Sequence, residues 1–352
     1  MIRSRFIAAA TRALALAALL ALAACSRTPL QEQQAYVFGT RVEVVVASAD
    51  PAQGSTAISA VLREFDRLHH AYHAWQPSLL SALNADIAAR KASKITPELA
   101  GFIADAQALT RQGDGLFDPG IGELIALWGF QADEFSKNQP PAEADIRRWL
   151  TAKPSINDLS IDGDIVRSRN RHVALDFGGY LKGVALDRAA ALLREQGIQN
   201  ALVNIGGNVM ALGSKDGRPW RVGIQHPRQS GPLAIVALKD GEAIGTSGDY
   251  QRFFEVDGRR YPHLLDPRTG YPADHTQAVT VLMPPGPRAG TLSDANSKPI
   301  FIAGPEHWRE LARQLDTGLV LRVDRSGQIF VTEALRQRLE FTGKMPEMTV
   351  LP

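Results

Sequence analysis

The order of strand-like and helix-like segments constrains the fold more than any other feature of this sequence. The β-branched run Val42–Ala47 predicts a strand, and apolar residues at helical spacing then predict a helix over about residues 55–73. A second helix is expected to begin after Thr96, with Pro97 in its first turn, and to end at Gly113. The later segments are predicted to be a helix over 184–196, strands at 201–205, 233–238, 253–257 and 278–283, a helix near 305–315 and a hairpin around 324–327. Because helices and strands do not alternate regularly, the sequence favours an α+β fold over a doubly wound sheet.

The charge of the chain argues against one broad class of function. The 352 residues are 45% hydrophobic and 22% charged, which is enough apolar material for one large domain or two closely packed ones. The net charge is only +2, and no long basic run is present. A dedicated nucleic-acid-binding protein is expected to have a concentrated basic face, so we predict no nucleic-acid partner.

The first 25 residues have the character of an export signal. Three arginines precede a short apolar run over residues 13–24, which ends at Cys25. The run is too short to span a bilayer comfortably as a permanent helix. The sequence Leu22-Ala23-Ala24-Cys25 resembles a bacterial lipobox, in which the cysteine is acylated and becomes the new N-terminus. The alternative is an ordinary signal peptide with an incidental cysteine, but Cys25 is the only cysteine in the chain. We therefore expect an exported protein, anchored by lipid through Cys25 on the periplasmic side of a bacterial membrane, either inner or outer.

Four segments are unusually dense in glycine, aspartate and small polar residues. They lie at residues 115–120, 176–183, 204–208 and 245–249. Glycine permits close backbone approach to a ligand, and the second segment places glycines and Lys182 just before a helix, where free N–H groups hold phosphate oxygens. Neither a Walker loop nor a G-x-G-x-x-G motif is present. A single segment of this kind is more simply a tight turn, but four of them, together with residues 266–270, favour a ligand site.

The motifs resemble those of the ApbE family of FAD:protein FMN transferases. The resemblance runs from Phe38 to about Gly304 and is carried by residues 117–119, 127–130, 176–183, 202–207, 246–250 and 263–270. It implies an α+β fold with a T-fold-like core. The domain organisation it implies is a lipoprotein signal peptide over 1–24, a tether over 25–35 and an ApbE-like flavin transferase domain over 36–345.

The resemblance also implies ligands and site residues. FAD would be the substrate, in contact with Phe38, Leu116, Phe117, Asp118, Asp176, Lys182 and Leu265. Mg²⁺, which prefers hard oxygen ligands shared with phosphates, would be held by the carbonyl of Gly179 and the carboxylate of Asp294, with Ser297 beside them. A threonine or serine hydroxyl of an acceptor flavoprotein, a subunit of a membrane or periplasmic electron-transfer system, would attack the FMN-side phosphorus and release AMP.

The general base is the least determined part of the predicted site. His263 is the first candidate, because imidazole titrates near neutral pH. A purely structural hydrogen bond is an equally good explanation of this one histidine. Asp249 and Asp266 are second candidates, and each of them is also suited to capping a turn.

The sequence departs from the family pattern at Lys298. The family usually has threonine here as a metal ligand, and a protonated lysine has no lone pair to offer magnesium. Three alternatives stay open: Asp294, Ser297 and Gly179 hold the ion without it, Lys298 supplies positive charge beside the phosphates, or transfer is lost while flavin binding is kept. The last alternative is a non-catalytic FAD-binding lipoprotein, and simple hydrolysis of FAD to FMN and AMP is a further one.

Overall fold

The computed structural model describes residues 28–131, 139–343 and 345–352. Cys25, the predicted signal peptide and the first residues of the predicted tether lie outside the described residues. Most of the polar segment between Phe130 and Pro141 also lies outside them.

The helices follow the local signals in the sequence. The second predicted helix begins and ends where the sequence indicates, because Thr96 Oγ1 accepts a hydrogen bond from the Leu99 N–H and Gly113 forms the C-cap. The α-helices are α1 Pro51–Ala71, α2 Leu79–Ala88, α3 Pro97–Gln112, α4 Gly122–Leu127, α5 Glu143–Ala152, α6 Leu181–Glu195, α7 Ala289–Ile302, α8 Gly304–Gln314 and α9 Glu333–Arg336.

A nine-stranded sheet forms the centre of the molecule, and smaller sheets surround it. The strands are β1 Leu30–Val37, β2 Thr40–Ala47, β3 Ser93–Lys94, β4 Leu159–Asp162, β5 Ile165–Ser168, β6 Ala201–Ile205, β7 Asn208–Leu212, β8 Trp220–Gln225, β9 Pro232–Leu238, β10 Ala243–Gly248, β11 Phe253–Val256, β12 Arg259–Pro262, β13 Leu265–Asp266, β14 Tyr271–Pro272, β15 Thr276–Met283, β16 Val320–Asp324, β17 Ile329–Thr332, β18 Leu339–Phe341 and β19 Met348–Leu351. The central order is β1-β2-β6-β7-β10-β15-β16-β17-β19. Its neighbours pair antiparallel except β17 and β19, which are parallel.

Both faces of the central sheet are covered. Successive side chains of a strand point to opposite faces, so Val44 and Val46 of β2 join the core that contains the large helices. Val45 and Ala47 join a second core under the three-stranded sheet β18-β9-β8. The central sheet is therefore the middle layer of the molecule.

Helix α7 is packed between α6 and the central sheet, and this packing positions the site. A Cβ on Gly183 of α6 would lie 2.5 Å from the carbonyl oxygen of Gly290 in α7. On its other side, a Cβ on Gly245 of β10 would lie 2.3 Å from the carbonyl oxygen of Ser293. Glycine at these positions lets the three backbones touch, which brings Asp294 of α7 to the first turn of α6.

The predicted α+β fold is confirmed, although several elements differ from the prediction or were not predicted. Residues 30–35 of the predicted tether form most of β1, which pairs along its whole length with β2, so the tether prediction was wrong there. Helix α6 begins at Leu181, three residues before its predicted start. Helix α7 was not predicted, because its residues are buried on nearly every side and give no amphipathic pattern. Among the residues described, no helix is both long and apolar enough to cross a bilayer.

Candidate active site

The turn before α6 is closed by its own hydrogen bonds and is followed by the ammonium group of Lys182, which is unpaired among the described residues. The N–H groups of Tyr180 and Leu181 donate to the Phe177 carbonyl, at 2.9 and 2.8 Å, and the Gly178 N–H donates to Asp176 Oδ1 at 2.8 Å. Asp176 is buried, which raises the pKa of its carboxyl group, and the charge of Arg252 opposes that rise. Lys182 is half-buried and has no ion pair or hydrogen bond to any described residue. A helix N-terminus with an unpaired ammonium group favours an anionic ligand.

Asp294 connects α7 to this turn. Its side chain has no exposed surface, and Oδ2 accepts a hydrogen bond from the Gly183 N–H at 3.0 Å. Its other oxygen, Oδ1, contacts the ammonium of Lys298 one turn further along α7. The same ammonium donates to the Asp294 carbonyl oxygen at 2.8 Å. Burial lowers the pKa of Lys298, while the adjacent carboxylate opposes that change.

The predicted magnesium ligands already have other partners. Both carboxylate oxygens of Asp294 are engaged, as described above. The Ser297 hydroxyl is engaged as well, since it donates to the Asp294 carbonyl at 2.7 Å and accepts from Ser247 at 2.7 Å. The stem of Lys298 lies against Gly179, since a Cβ there would be 3.3 Å from Lys298 Cε. Within the described ranges, no three His, Cys, Asp or Glu side chains form a group that could hold a metal ion. This donor set therefore does not fit a magnesium ion, and the magnesium site stays a prediction.

His263 is held in the form that accepts a proton. A carbonyl oxygen only accepts, so the 3.0 Å contact between Nδ1 and the Arg252 carbonyl assigns the ring proton to Nδ1 and a lone pair to Nε2. Burial, together with the nearby charges of Arg252, Lys182 and Lys298, lowers the pKa of His263 to about 3. The ring is therefore neutral at pH 7 and lies near both ammonium groups of the site.

The two aspartates that were second candidates for the base are engaged in ion pairs. Asp249 accepts two hydrogen bonds from Arg228, at 2.7 and 2.6 Å, and Arg260 lies 3.8 Å away. Asp266 pairs with Arg268 at 2.8 Å, and its carbonyl closes the turn to Gly270. These contacts give both carboxylates a structural role, and neither carboxylate is placed as His263 is.

The predicted flavin contacts are less closely grouped than the phosphate-binding elements. Phe117 lies beside Gly179, since a Cβ on this glycine would be 3.7 Å from the Phe117 ring. Phe38 occupies the two-residue turn between β1 and β2 at φ +56°, a conformation uncommon for a side chain of this size, and its ring packs on Phe65 at 6.0 Å.

The other three predicted flavin contacts lie in different surroundings. Leu116 lines a cavity of about 310 Å³, and Leu265 packs in the cluster around Trp128. Asp118 Oδ1 accepts from the backbone N–H groups of Gly120 and Ile156, and burial raises the pKa of its carboxyl group. Contact of any of these residues with flavin stays a prediction.

Residues without a predicted role complete the site. Arg252 orients His263 through its carbonyl and places a cation near Asp176, although it lies only two residues beyond the motif at 246–250. Ser247, inside that motif, holds Ser297. Arg228 holds Asp249 from a separate loop, and no local sequence signal identifies this long-range pair.

The fold and the site define a class of protein: an α+β protein with a lysine at the N-terminus of a helix and a buried, neutral histidine whose pKa the charge of that lysine lowers. The ApbE family matches residues 38–321 of the chain. The chain therefore belongs to the ApbE family, as the sequence motifs predict.

Individual relatives agree with this assignment. An FAD:protein FMN transferase of Rhodobacter capsulatus is 40% identical over 93% of the chain, and the chain spans 62% of that relative's length. An FAD:protein FMN transferase of Haemophilus influenzae is 29% identical, with 91% of this chain and 94% of the relative covered. The crystal structure of the ApbE protein of Thermotoga maritima superposes with a TM-score of 0.80 at 31% identity, covering 88% of this chain and 99% of that one.

Proposed function

We propose that this protein is an FAD:protein FMN transferase, which moves FMN from FAD to a threonine or serine of an acceptor flavoprotein and releases AMP. The observation that carries the proposal is the first turn of α6, where Lys182 has no partner among the described residues and the Gly183 N–H holds the Asp294 carboxylate at 3.0 Å. The charges of Lys182 and Lys298 both act on His263. The names of the relatives from Rhodobacter and Haemophilus support the same reaction.

The proposed roles follow from the contacts at the turn. The ammonium of Lys182 and the backbone N–H groups of Gly179 and Lys182, which have no acceptor among the described residues, bind the diphosphate of FAD. The acceptor hydroxyl approaches the FMN-side phosphorus while Nε2 of His263 takes its proton, because the bound diphosphate offsets the lysine charges that otherwise lower the pKa of the ring. A new P–O bond to the acceptor forms, the bond to the AMP oxygen breaks, and AMP departs with that electron pair. The Arg252 carbonyl keeps the imidazole in the required tautomer, since it accepts the Nδ1 proton.

Magnesium, which the family resemblance implies, is not part of this proposed reaction. A divalent ion on the diphosphate would neutralise charge and make phosphorus more accessible to the nucleophile. Because Asp294 and Ser297 are already engaged, no step of the proposed reaction is assigned to that ion.

One assay tests the proposed reaction. The full chain, purified in mild detergent, is incubated with FAD and the flavin-acceptor domain of a sodium-pumping quinone reductase subunit. Covalent flavin fluorescence of the acceptor in a denaturing gel, with an equal amount of AMP, is the expected result. AMP without labelled acceptor identifies hydrolysis, and bound but intact FAD identifies a carrier; either result contradicts the proposal. A His263→Gln variant is expected to lose about 10²- to 10⁴-fold in rate, as a general base does.

We also propose that the protein acts on the periplasmic side of a bacterial membrane, anchored by acyl chains on Cys25. The support is the arginine-led apolar segment that ends at this single cysteine. Metabolic labelling with an alkyne fatty acid is expected to mark the wild-type protein and not a Cys25→Ser variant. Equal labelling of the two proteins would contradict the anchor.

A further inference from the structure

We propose that Lys298 is a resident cation of the diphosphate site, so that this protein binds FAD without a divalent metal ion. The inference rests on the proposed function and concerns the charge that balances the Asp294 carboxylate beside the FAD diphosphate. It distinguishes this chain from a site in which an ion occupies the carboxylate of Asp294.

The first argument is the pairing of a fully buried carboxylate. Asp294 has no exposed surface, and its ionised form requires a compensating charge. Among the residues that the structure describes, Lys298 is the only cation paired with it. The ammonium contacts Oδ1 and the main-chain oxygen of the same residue, so Oδ1 is not free to bind a metal ion.

The second argument is that Lys298 has little freedom to move aside. Only 14% of its side chain is exposed, and its Cε lies against Gly179. Oδ2 of Asp294 is occupied by the Gly183 N–H at 3.0 Å. Because Ser297 gives its proton to the Asp294 carbonyl and accepts from Ser247, its hydroxyl is not a ready replacement ligand. Displacement of the lysine by an ion would therefore break several contacts at once.

The third argument is charge matching. The diphosphate of FAD carries two negative charges, and the ammonium groups of Lys182 and Lys298 both lie near His263. Lys182 has no partner among the described residues, so its charge is available to a ligand. Because Lys298 balances the carboxylate of Asp294, no uncompensated negative charge faces the diphosphate, and Lys182 with the N-terminus of α6 then provides positive charge and N–H donors without a metal ion.

The test measures binding and not only transfer. FAD affinity of the full chain in detergent is followed by flavin fluorescence, in EDTA and in Mg²⁺, and binding of Mn²⁺ alone is followed by electron paramagnetic resonance. The wild type is expected to bind FAD with a Kd that changes by less than about threefold between the two conditions, since its cation is covalently part of the chain. It is also expected to bind no stoichiometric Mn²⁺.

A Lys298→Thr variant removes the resident cation and frees Oδ1 of Asp294. Its FAD affinity in EDTA is expected to fall by about tenfold or more, to recover in Mg²⁺, and to be accompanied by one bound Mn²⁺. Lys94→Thr is the control, because Lys94 is exposed and pairs only with Asp164 on the surface. The control is expected to behave as the wild type.

Several results would overturn the inference. One is a wild type whose FAD affinity falls more than about tenfold in EDTA, or which binds one Mn²⁺; this measurement holds even if the Lys298→Thr variant does not fold. Another is a folded Lys298→Thr variant that binds FAD as tightly as the wild type in EDTA and takes up no Mn²⁺. Magnesium-dependent FAD binding with normal FMN transfer would refute this inference alone, whereas absence of FAD binding under both conditions would refute the proposed function as well.

Discussion

Replacement of Gly183 by alanine tests how tightly α6 and α7 are packed at the site. The new Cβ would lie 2.5 Å from the Gly290 oxygen, 2.7 Å from Thr291 Cα and 2.8 Å from Asp294 Cβ, so α7 must move. Overpacking of this kind costs about 1–3 kcal/mol, and loss of the hydrogen bond from the Gly183 N–H to the Asp294 carboxylate costs about 1.5–3 kcal/mol. Alanine returns about 1 kcal/mol through its helix propensity. The expected net loss is about 2–5 kcal/mol in the free energy of unfolding.

The measurement is urea unfolding of the full chain followed by circular dichroism, with all variants in the same detergent. The matched control is Gly101→Ala in α3, where a Cβ would meet nothing within 4 Å. That control is expected to gain about 0.5–1 kcal/mol, because only propensity changes. A Gly183→Ala variant as stable as the control would refute the close helix contact, and with it the reasoning that places Asp294 at the turn before α6.

Three further predictions concern single side chains of the site. The pKa of His263 is about 3 in the folded protein and 6.5 in the unfolded chain, so between these pH values only the unfolded state binds the proton. Stability is therefore lost as the pH falls below 6.5, by up to about 5 kcal/mol near pH 3. Urea unfolding at several pH values is expected to show this loss in the wild type and not in His263→Gln. Asp249→Asn is expected to lose about 1.5–3 kcal/mol of stability in urea unfolding, because it weakens the double hydrogen bond from Arg228. Its rate of FMN transfer at saturating FAD is expected to stay within about threefold of wild type. A fall in that rate as large as that of His263→Gln would identify Asp249 as the base instead. Lys182→Met is expected to weaken FAD binding about tenfold or more, measured by flavin fluorescence. Its stability in urea unfolding is expected to change by less than about 0.5 kcal/mol, since Lys182 has no partner among the described residues. A large loss of stability without weaker FAD binding would contradict the role of Lys182 in binding the diphosphate.

The sequence predicts the elements whose signals are local. Thr96, Pro97 and Gly113 identify both ends of α3, because a side-chain cap and a C-terminal glycine act within one turn of the helix. The strand at Ala201–Ile205 is equally clear, since it is a short apolar run before two glycines. The family motifs identify the turn before α6 and the histidine.

Elements that form because of tertiary packing are not predicted by local sequence signals. Helix α7 is surrounded by protein and contains Pro299, so neither periodicity nor propensity indicates it. Strand β1 has a polar, glutamine-rich sequence typical of a tether, yet its backbone pairs with β2 at the edge of the sheet while most of its side chains remain at least partly exposed. Backbone hydrogen bonds to β2 hold β1 in the sheet, and the composition of its side chains does not indicate them.

Most partners of the site residues are also invisible in the sequence. The contact between Asp294 and Lys298 follows from i, i+4 spacing only once α7 is known to be a helix. Arg228 and Asp249, or Arg252 and His263, meet because separate loops fold together. The sequence therefore identifies candidate groups, and the structure shows which of them are engaged with other protein groups.

The most direct test of the central claim is equilibrium dialysis of FAD against the full chain and against a Lys182→Met/Lys298→Met double variant. If the diphosphate is held at the glycine turn by these two ammonium groups, the wild type retains one FAD per chain and the double variant retains little at the same concentration. Equal retention by the two proteins, or none by the wild type, would contradict the site described here.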